Sequence, residues 1–171
     1  MIDATIKGAS ANSYVSVADA DSHFDLSIFK SLWTQLSTEE KEQFLVFSTN
    51  RIDAELFSGA KTTTEQSLQM PRKGIIDKDQ TYWVDEDTIP AYFQLSVLEL
   101  VTEYIKEYKN ESPTFSKNDQ ERMSDVTIGP LKGTLRKTTE YSLPDIVKRY
   151  LRSVGYNFWI GSSPFIPVVR V

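Results

Sequence analysis

Cysteine is absent from all 171 positions. That removes disulfides, thiolate metal sites and thiol nucleophiles together, and it fits synthesis in a reducing cytoplasm. Histidine occurs once, at His23, so neither a zinc site nor a nucleophilic pair built on a second histidine has its donors. A lone histidine on a predicted helix reads as a surface or half-buried residue, because a site needs partners at workable geometry. No apolar run approaches the roughly 20 residues of a membrane span. The opening Met1-Ile2-Asp3-Ala4-Thr5 has neither the basic region nor the apolar stretch of a signal peptide. These absences predict a protein that is neither exported by that route nor membrane-anchored.

Basic residues are also short in one part of the chain. Residues 1–116 hold 10 Lys/Arg against 19 Asp/Glu, a net charge of -9. Residues 117–152 hold 8 against 5, a net of +3, and Arg170 brings the whole chain to -5. An acidic body repels a polyanion, so only the segment after 117 could support a nucleic-acid reading. The 40% hydrophobic and 25% charged fractions are those of an ordinary globular chain, long enough to bury a core without staples.

The predicted fold class is mainly α: a small bundle of three to four helices with a short β-hairpin and an extended C-terminal arm. Residues 1–15 read as an extended lead-in. Ser16 and Asp19 form a start signal, and Val17, Ala20, Phe24 and Ile28 recur at helical spacing, predicting a helix over 17–27. Ser37-Thr38-Glu39-Glu40 is a capping box that opens a helix over 38–57. Its apolar face is Phe44, Leu45, Phe47, Ile52, Leu56 and Phe57, with Gly59 as its stop. Residues 59–88 lack helical period, with Tyr82-Trp83-Val84 as a short strand. Pro90 in a first turn predicts a helix over 89–109, whose buried face is Phe93, Val97, Leu100, Val101, Tyr104 and Tyr108. Alternation around Gly129-Pro130 predicts a hairpin near 123–138. Leu143-Pro144-Asp145 opens a helix over 144–154, with Ile146, Val147, Tyr150, Leu151 and Val154 inward and Gly155 as its stop. Residues 1–155 thus form one helical domain, followed by 156–171 as an apolar arm. Gly161, Pro164 and Pro167 break that arm too often for a helix, yet it is too apolar for a solvated tail.

Candidate chemistry is sparse. Asp77, Asp79 and Asp85-Glu86-Asp87 lack the glycine and closing glutamate of a calcium loop and read as a solvated loop and helix start. Arg72-Lys73-Gly74 lacks the glycine and Ser/Thr of a phosphate-cradling loop. No pair of carboxylates stands out for glycosidase work, and Glu99, Glu103 and Glu107 read as a solubilising helix face. The reading is therefore not an enzyme, with no catalytic residue, cofactor or metal. The candidate partner-binding residues are Phe158, Trp159, Phe165 and Ile166 of the arm, since such a patch commonly marks a contact surface.

The collinear order of parts resembles a family of small tailed-phage proteins. The matching stretches are Ala11-Asn12-Ser13-Tyr14-Val15-Ser16, Ile52-Asp53, Gln66-Ser67-Leu68-Gln69-Met70-Pro71-Arg72-Lys73-Gly74, Ile89-Pro90 and Ile128-Gly129-Pro130. Two departures are Met70, where an aromatic is usual, and Gln80, where a glycine often follows the acidic pair. The family is that of head–tail connectors (adaptors, or head-completion proteins), some of which are also described as DnaT-like single-stranded-DNA-binding proteins. The resemblance implies a virion protein of the neck, at the head–tail interface, made in the host cytoplasm. It implies a homo-oligomeric ring, twelve-fold in that family, beneath a portal protein and above a tail-side neck or tail-completion protein. DNA would pass through such a ring without specific binding. The alternative is a single-stranded-DNA-binding module using Tyr141, Lys148, Arg149, Tyr150 and Arg152, which needs aromatics interleaved with cations on a groove.

Overall fold

The computed structural model describes residues 1–76, 83–109, 123–128, 131–136 and 143–152. The fold class is mainly α, as expected. Five helices are described: α1 (Val17–Asp25), α2 (Lys30–Thr34), α3 (Thr38–Asp53), α4 (Ala91–Lys109) and α5 (Asp145–Arg152). Two antiparallel ribbons accompany them, β1 (Ala60–Lys61) with β2 (Arg72–Lys73) and β3 (Met123–Ile128) with β4 (Leu131–Arg136). Ile128 pairs with Leu131, so only Gly129 and Pro130 separate β3 from β4, at the place the alternation predicts. No described helix is long and apolar enough to cross a membrane.

The start signals work as the residue types require. Ser16 Oγ accepts from the Asp19 amide at 3.1 Å. Ser37 and Glu40 complete a reciprocal capping box, and Ser37's amide and hydroxyl hold the Glu40 carboxyl below its ordinary range. Helix α1 ends at Asp25, so Ile28 falls outside it and is exposed. The short α2 was not predicted, because five residues are too few to show a period. Its role is to deliver Trp33, which stacks on Phe24 with ring centroids 4.5 Å apart. Trp33 also donates its indole N–H to Asp21 Oδ1 at 2.7 Å. The same oxygen takes Lys41 Nζ at 2.8 Å, and that ammonium lies over the Trp33 ring. Those two donors, Lys41 first, keep the Asp21 carboxyl below its usual range.

Helix α4 is the centre of the bundle, with α3 on one side and α5 on another. Phe93, Val97, Leu100, Val101 and Ile105 are buried along it. Phe44 meets Tyr108, Phe47 meets Tyr104 and Phe57 meets Phe93, so α3 runs antiparallel to α4. Tyr150 stacks on Tyr92, so α5 also runs back along α4.

Several predicted faces are corrected. Phe47 and Tyr108 are exposed rather than core, each lying at the edge of its apolar stripe, and Leu56 is exposed because it falls beyond the end of α3. On α5 the inward face is Val147, Lys148 and Leu151, and Ile146 is 39% exposed. The predicted strand at Tyr82-Trp83-Val84 reduces to a single bridge between Ile76 and Trp83, with Tyr82 outside the described residues. The lead-in is core, since Ala11, Ser13, Tyr14 and Val15 are all buried.

Helix α3 stops at Asp53, four residues before its predicted end, and the Asp53 side chain is engaged by the loop that follows. The Tyr14 hydroxyl donates to Asp53 Oδ1, and the Gln69 amide donates to the same oxygen at 2.7 Å. Tyr14 Oη in turn accepts from the Met70 amide at 3.2 Å. Buried Gln66 braces the loop from inside, donating to Leu68 O at 2.9 Å and Pro71 O at 3.1 Å while accepting from the Thr63 amide. Arg72 closes it from outside, on Ser58 O, Gly59 O and Gln69 Oε1. The Met70–Pro71 peptide is cis. Gly59 has φ +73°, and a Cβ there would lie 2.2 Å from Lys73 O, so no other residue fits.

Burial, with the Asp53 carboxylate beside it, raises the Tyr14 phenol above its ordinary 10.0. The folded chain therefore holds that proton more tightly than the unfolded chain. The resulting stabilisation is complete below about pH 10 and is lost as pH rises beyond it. Tyr14→Phe leaves the Met70 amide and Asp53 each short of a partner, and is expected to lower the unfolding free energy at neutral pH by about 1–3 kcal/mol. It should also flatten the alkaline decline. Urea titrations of both proteins across pH 7–11 check this; equal midpoints and equal alkaline slopes would exclude it.

Candidate functional site

A groove of about 960 Å³ opens over the seam of α3 and α4. Its floor is two aromatic rungs, each taking one ring from either helix. Phe44 meets Tyr108 at 5.6 Å between centroids, and Phe47 meets Tyr104 at 5.0 Å, both near edge-to-face. Spacings of three residues on α3 and four on α4 put each pair of rings on one helix face. Phe47 and Tyr108 are 58% and 57% exposed, so the rungs are open to solvent, whereas burial raises the Tyr104 phenol.

The rim is acidic. Glu39, Glu40 and Glu42 come from the first turns of α3, and Glu107 from the last turn of α4. The lining residues include no Lys or Arg; their one cation is the Met1 amino group, 3.5 Å from Glu42. Such a groove suits an apolar or aromatic segment that brings neutral or positive groups, and it disfavours a phosphodiester.

Phe158, Trp159, Phe165 and Ile166 lie outside the described residues, as do Tyr141, Asp77 and Asp79. The other residues of the DNA-binding alternative divide. Lys148 is only 9% exposed, its ammonium 3.5 Å from Asp145, so it does not sit on an open groove. Arg149 and Arg152 are exposed on α5, and Tyr150 stacks on Tyr92 at 6.2 Å. Arg149 and Arg152, three residues apart, share one face of α5, and Tyr150 is turned away from it, so the aromatic pair and the arginines are both present without being interleaved. His23 is half-buried against the Phe24 ring. Asp85 bonds within its own turn, to the Asp87 amide and the Thr88 hydroxyl. Arg72 serves the loop closure described above. No group of three His, Cys, Asp or Glu that could hold a metal occurs among the described residues.

Sequence reasoning placed all four groove aromatics in the core. The available signal was excess: with Leu45 and Ile52 already inward, one helix stripe could not also bury Phe44 and Phe47. Glutamates beside the surplus rings on both helices marked where they would surface.

Fold and surface together define a small, mainly helical protein with an aromatic, acid-rimmed groove. The chain belongs to the family described as "Putative DnaT-like ssDNA binding protein", whose model matches residues 1–161. That description corresponds to the DNA-binding alternative and does not mention a connector. No curated protein and no solved structure matches the chain.

The open rungs have an energetic signature. Phe93→Ala, at a fully buried ring, is expected to cost about 3–5 kcal/mol. Phe47→Ala should cost about 1 kcal/mol, little beyond its edge-to-face pairing. Denaturant unfolding of the two variants measures the contrast; similar losses would mean that Phe47 belongs to the core and the groove is not a free surface.

Proposed function

We propose that this chain is a non-enzymatic assembly protein, a head–tail connector of a tailed-phage particle that acts by docking proteins. The observation that carries the reading is the groove: aromatic rungs suited to an apolar anchor, under glutamates that repel phosphate. The resemblance in the order of motifs supports it too, and those motifs serve the fold rather than a reaction. The shifted carboxyl of Asp21 and the shifted phenol of Tyr14 are both explained by local structural bonds or burial, which fits a chain without a catalytic centre. On this reading the partners are copies of itself in a ring, the portal, and a tail-side neck protein, and the chain resides in the virion.

A second reading, single-stranded-DNA binding, is favoured by the family match more than the connector is. Its local support is the Tyr92–Tyr150 stack and, on a separate face of α5, the exposed Arg149 and Arg152, the residue types on which bases stack and phosphates bind.

The two readings part on measurement. A connector should appear in purified particles by mass spectrometry, and the isolated chain should bind a single-stranded oligonucleotide only weakly near physiological salt. A DNA-binding protein should instead bind at sub-micromolar affinity and weaken steeply with salt. Arg149→Ser with Arg152→Ser should then lower the slope of log affinity against log salt by about 1.4. Absence from particles together with that salt behaviour would replace the connector reading by the second.

A further inference from the structure

We propose that the groove on α3 and α4 receives the C-terminal segment of a neighbouring copy, residues 156–171, with Phe158 and Trp159 set against the aromatic rungs. The inference rests on reading the chain as an assembly protein and names the occupant of that site.

Charge selects this segment from the chain's own material. Of the stretches longer than two residues outside the described structure, 77–82, 110–122 and 137–142 each contain Asp or Glu. Residues 153–171 contain none, and their one charged side chain is Arg170. Against a rim of four glutamates, a segment without acidic side chains meets less repulsion than the other three, and its arginine meets attraction. The segment is also the most anchor-rich, with Phe158, Trp159, Ile160, Phe165 and Ile166 close together. A groove of about 960 Å³ lies at the upper end of the ~300–1,000 Å³ that enclose a compact ligand, enough for more than one aromatic side chain.

Reach selects a second copy. Tyr150 stacks on Tyr92, so α5 ends near the start of α4, whereas the groove lies toward α4's other end, at Tyr104 and Tyr108. Twelve to sixteen residues of helix separate those levels, about 18–24 Å at 1.5 Å each. Passing from α5 to the α3 side of α4 adds a sideways step on the order of 8–10 Å. Six residues lead from Arg152 to Phe158, about 20–22 Å even if fully extended. The two steps combine to about 20–26 Å, so Phe158 would meet its own groove only at the near rung and only with all six residues fully extended, while a neighbour's groove carries no such limit.

The test uses the full chain with Phe47→p-benzoylphenylalanine, which keeps an aromatic ring in the groove and makes it photoreactive. Unlabelled and ¹⁵N-labelled copies are mixed at equal amounts, at the highest soluble concentration, and irradiated, and the joined peptides are identified by mass spectrometry. Mixed-isotope adducts between position 47 and residues 156–171 are expected, and Trp159→Ser with Phe158→Ser should remove them. In sedimentation runs, Phe47→Glu should weaken self-association about tenfold or more, the scale of losing a central aromatic contact. Same-isotope adducts alone would mean that a chain fills its own groove, and would overturn the proposal. Adducts to any other segment, or none, would overturn it equally. The connector reading fails separately: mixed-isotope adducts from a chain absent from purified particles would leave the docking intact and remove the connector.

Discussion

The described core is held by one carboxylate oxygen. Asp53 Oδ1 takes the Tyr14 hydroxyl and the Gln69 amide, and Tyr14 then takes the Met70 amide. Three stretches far apart in the chain meet there: the opening segment, the end of α3 and the loop after β1. Asp53 ties the last residue of α3 to that loop, and the chain turns outward through Ala54–Ser58. That turn brings Phe57 onto Phe93 and sets Gly59 against Lys73, where only glycine fits. The opening segment is buried for the same reason, since Tyr14 cannot reach Asp53 unless Ala11, Ser13 and Val15 come inside with it. A hydrogen-bonded junction of this sort contributes modestly in net terms but is costly to leave half-made, which suits it to setting geometry more than to supplying stability.

Seen from this junction, the matching sequence stretches acquire physical meanings. Gln66 is the internal brace of the loop, Leu68 and Met70 are core, and Arg72 binds backbone carbonyls. Met70, which replaces the usual aromatic, is 2% exposed, and an unbranched thioether fills such a space readily. These residues say how the chain folds and nothing of what it touches. The exposed aromatics and arginines lie elsewhere, on the α3–α4 seam and on the outer face of α5.

Legibility in the sequence followed the range of the signal. Local signals read well: the Ser37–Glu40 box, Ser16 as a cap, and the hairpin around Gly129-Pro130 all lie where expected, since each depends on a few neighbouring residues. Helix ends read less well: the end of α3 is packed against a loop whose Gln69 bonds Asp53 from 16 residues downstream, and no local rule contains that contact. Trp33 and its helix were illegible, being a short turn whose reason is a ring nine residues upstream and an aspartate twelve upstream. The groove was hidden by a true rule applied too widely: aromatics at helical spacing are usually core, and here Phe47 and Tyr108 sit at the edges of two stripes that meet. Lys148 shows the opposite failure. A lysine in a basic run was assigned to an open surface, yet its stem is packed and its charge answered by Asp145.

The antiparallel packing gives the described body two unlike ends. One carries the carboxylates of α3's first turns beside Tyr104 and Tyr108. The other carries Tyr92, Tyr150 and the arginines at the close of α5. The first end also carries Lys106 and Lys109 in the last turn of α4, so charge does not by itself decide between pairing like ends and joining unlike ones. A contact joining one end to the other in a second copy is heterologous, and each copy added leaves one donor end and one acceptor end open. Such a series has only two outcomes: it closes into a cycle when the rotation per step divides a full turn, or it continues as a helical filament.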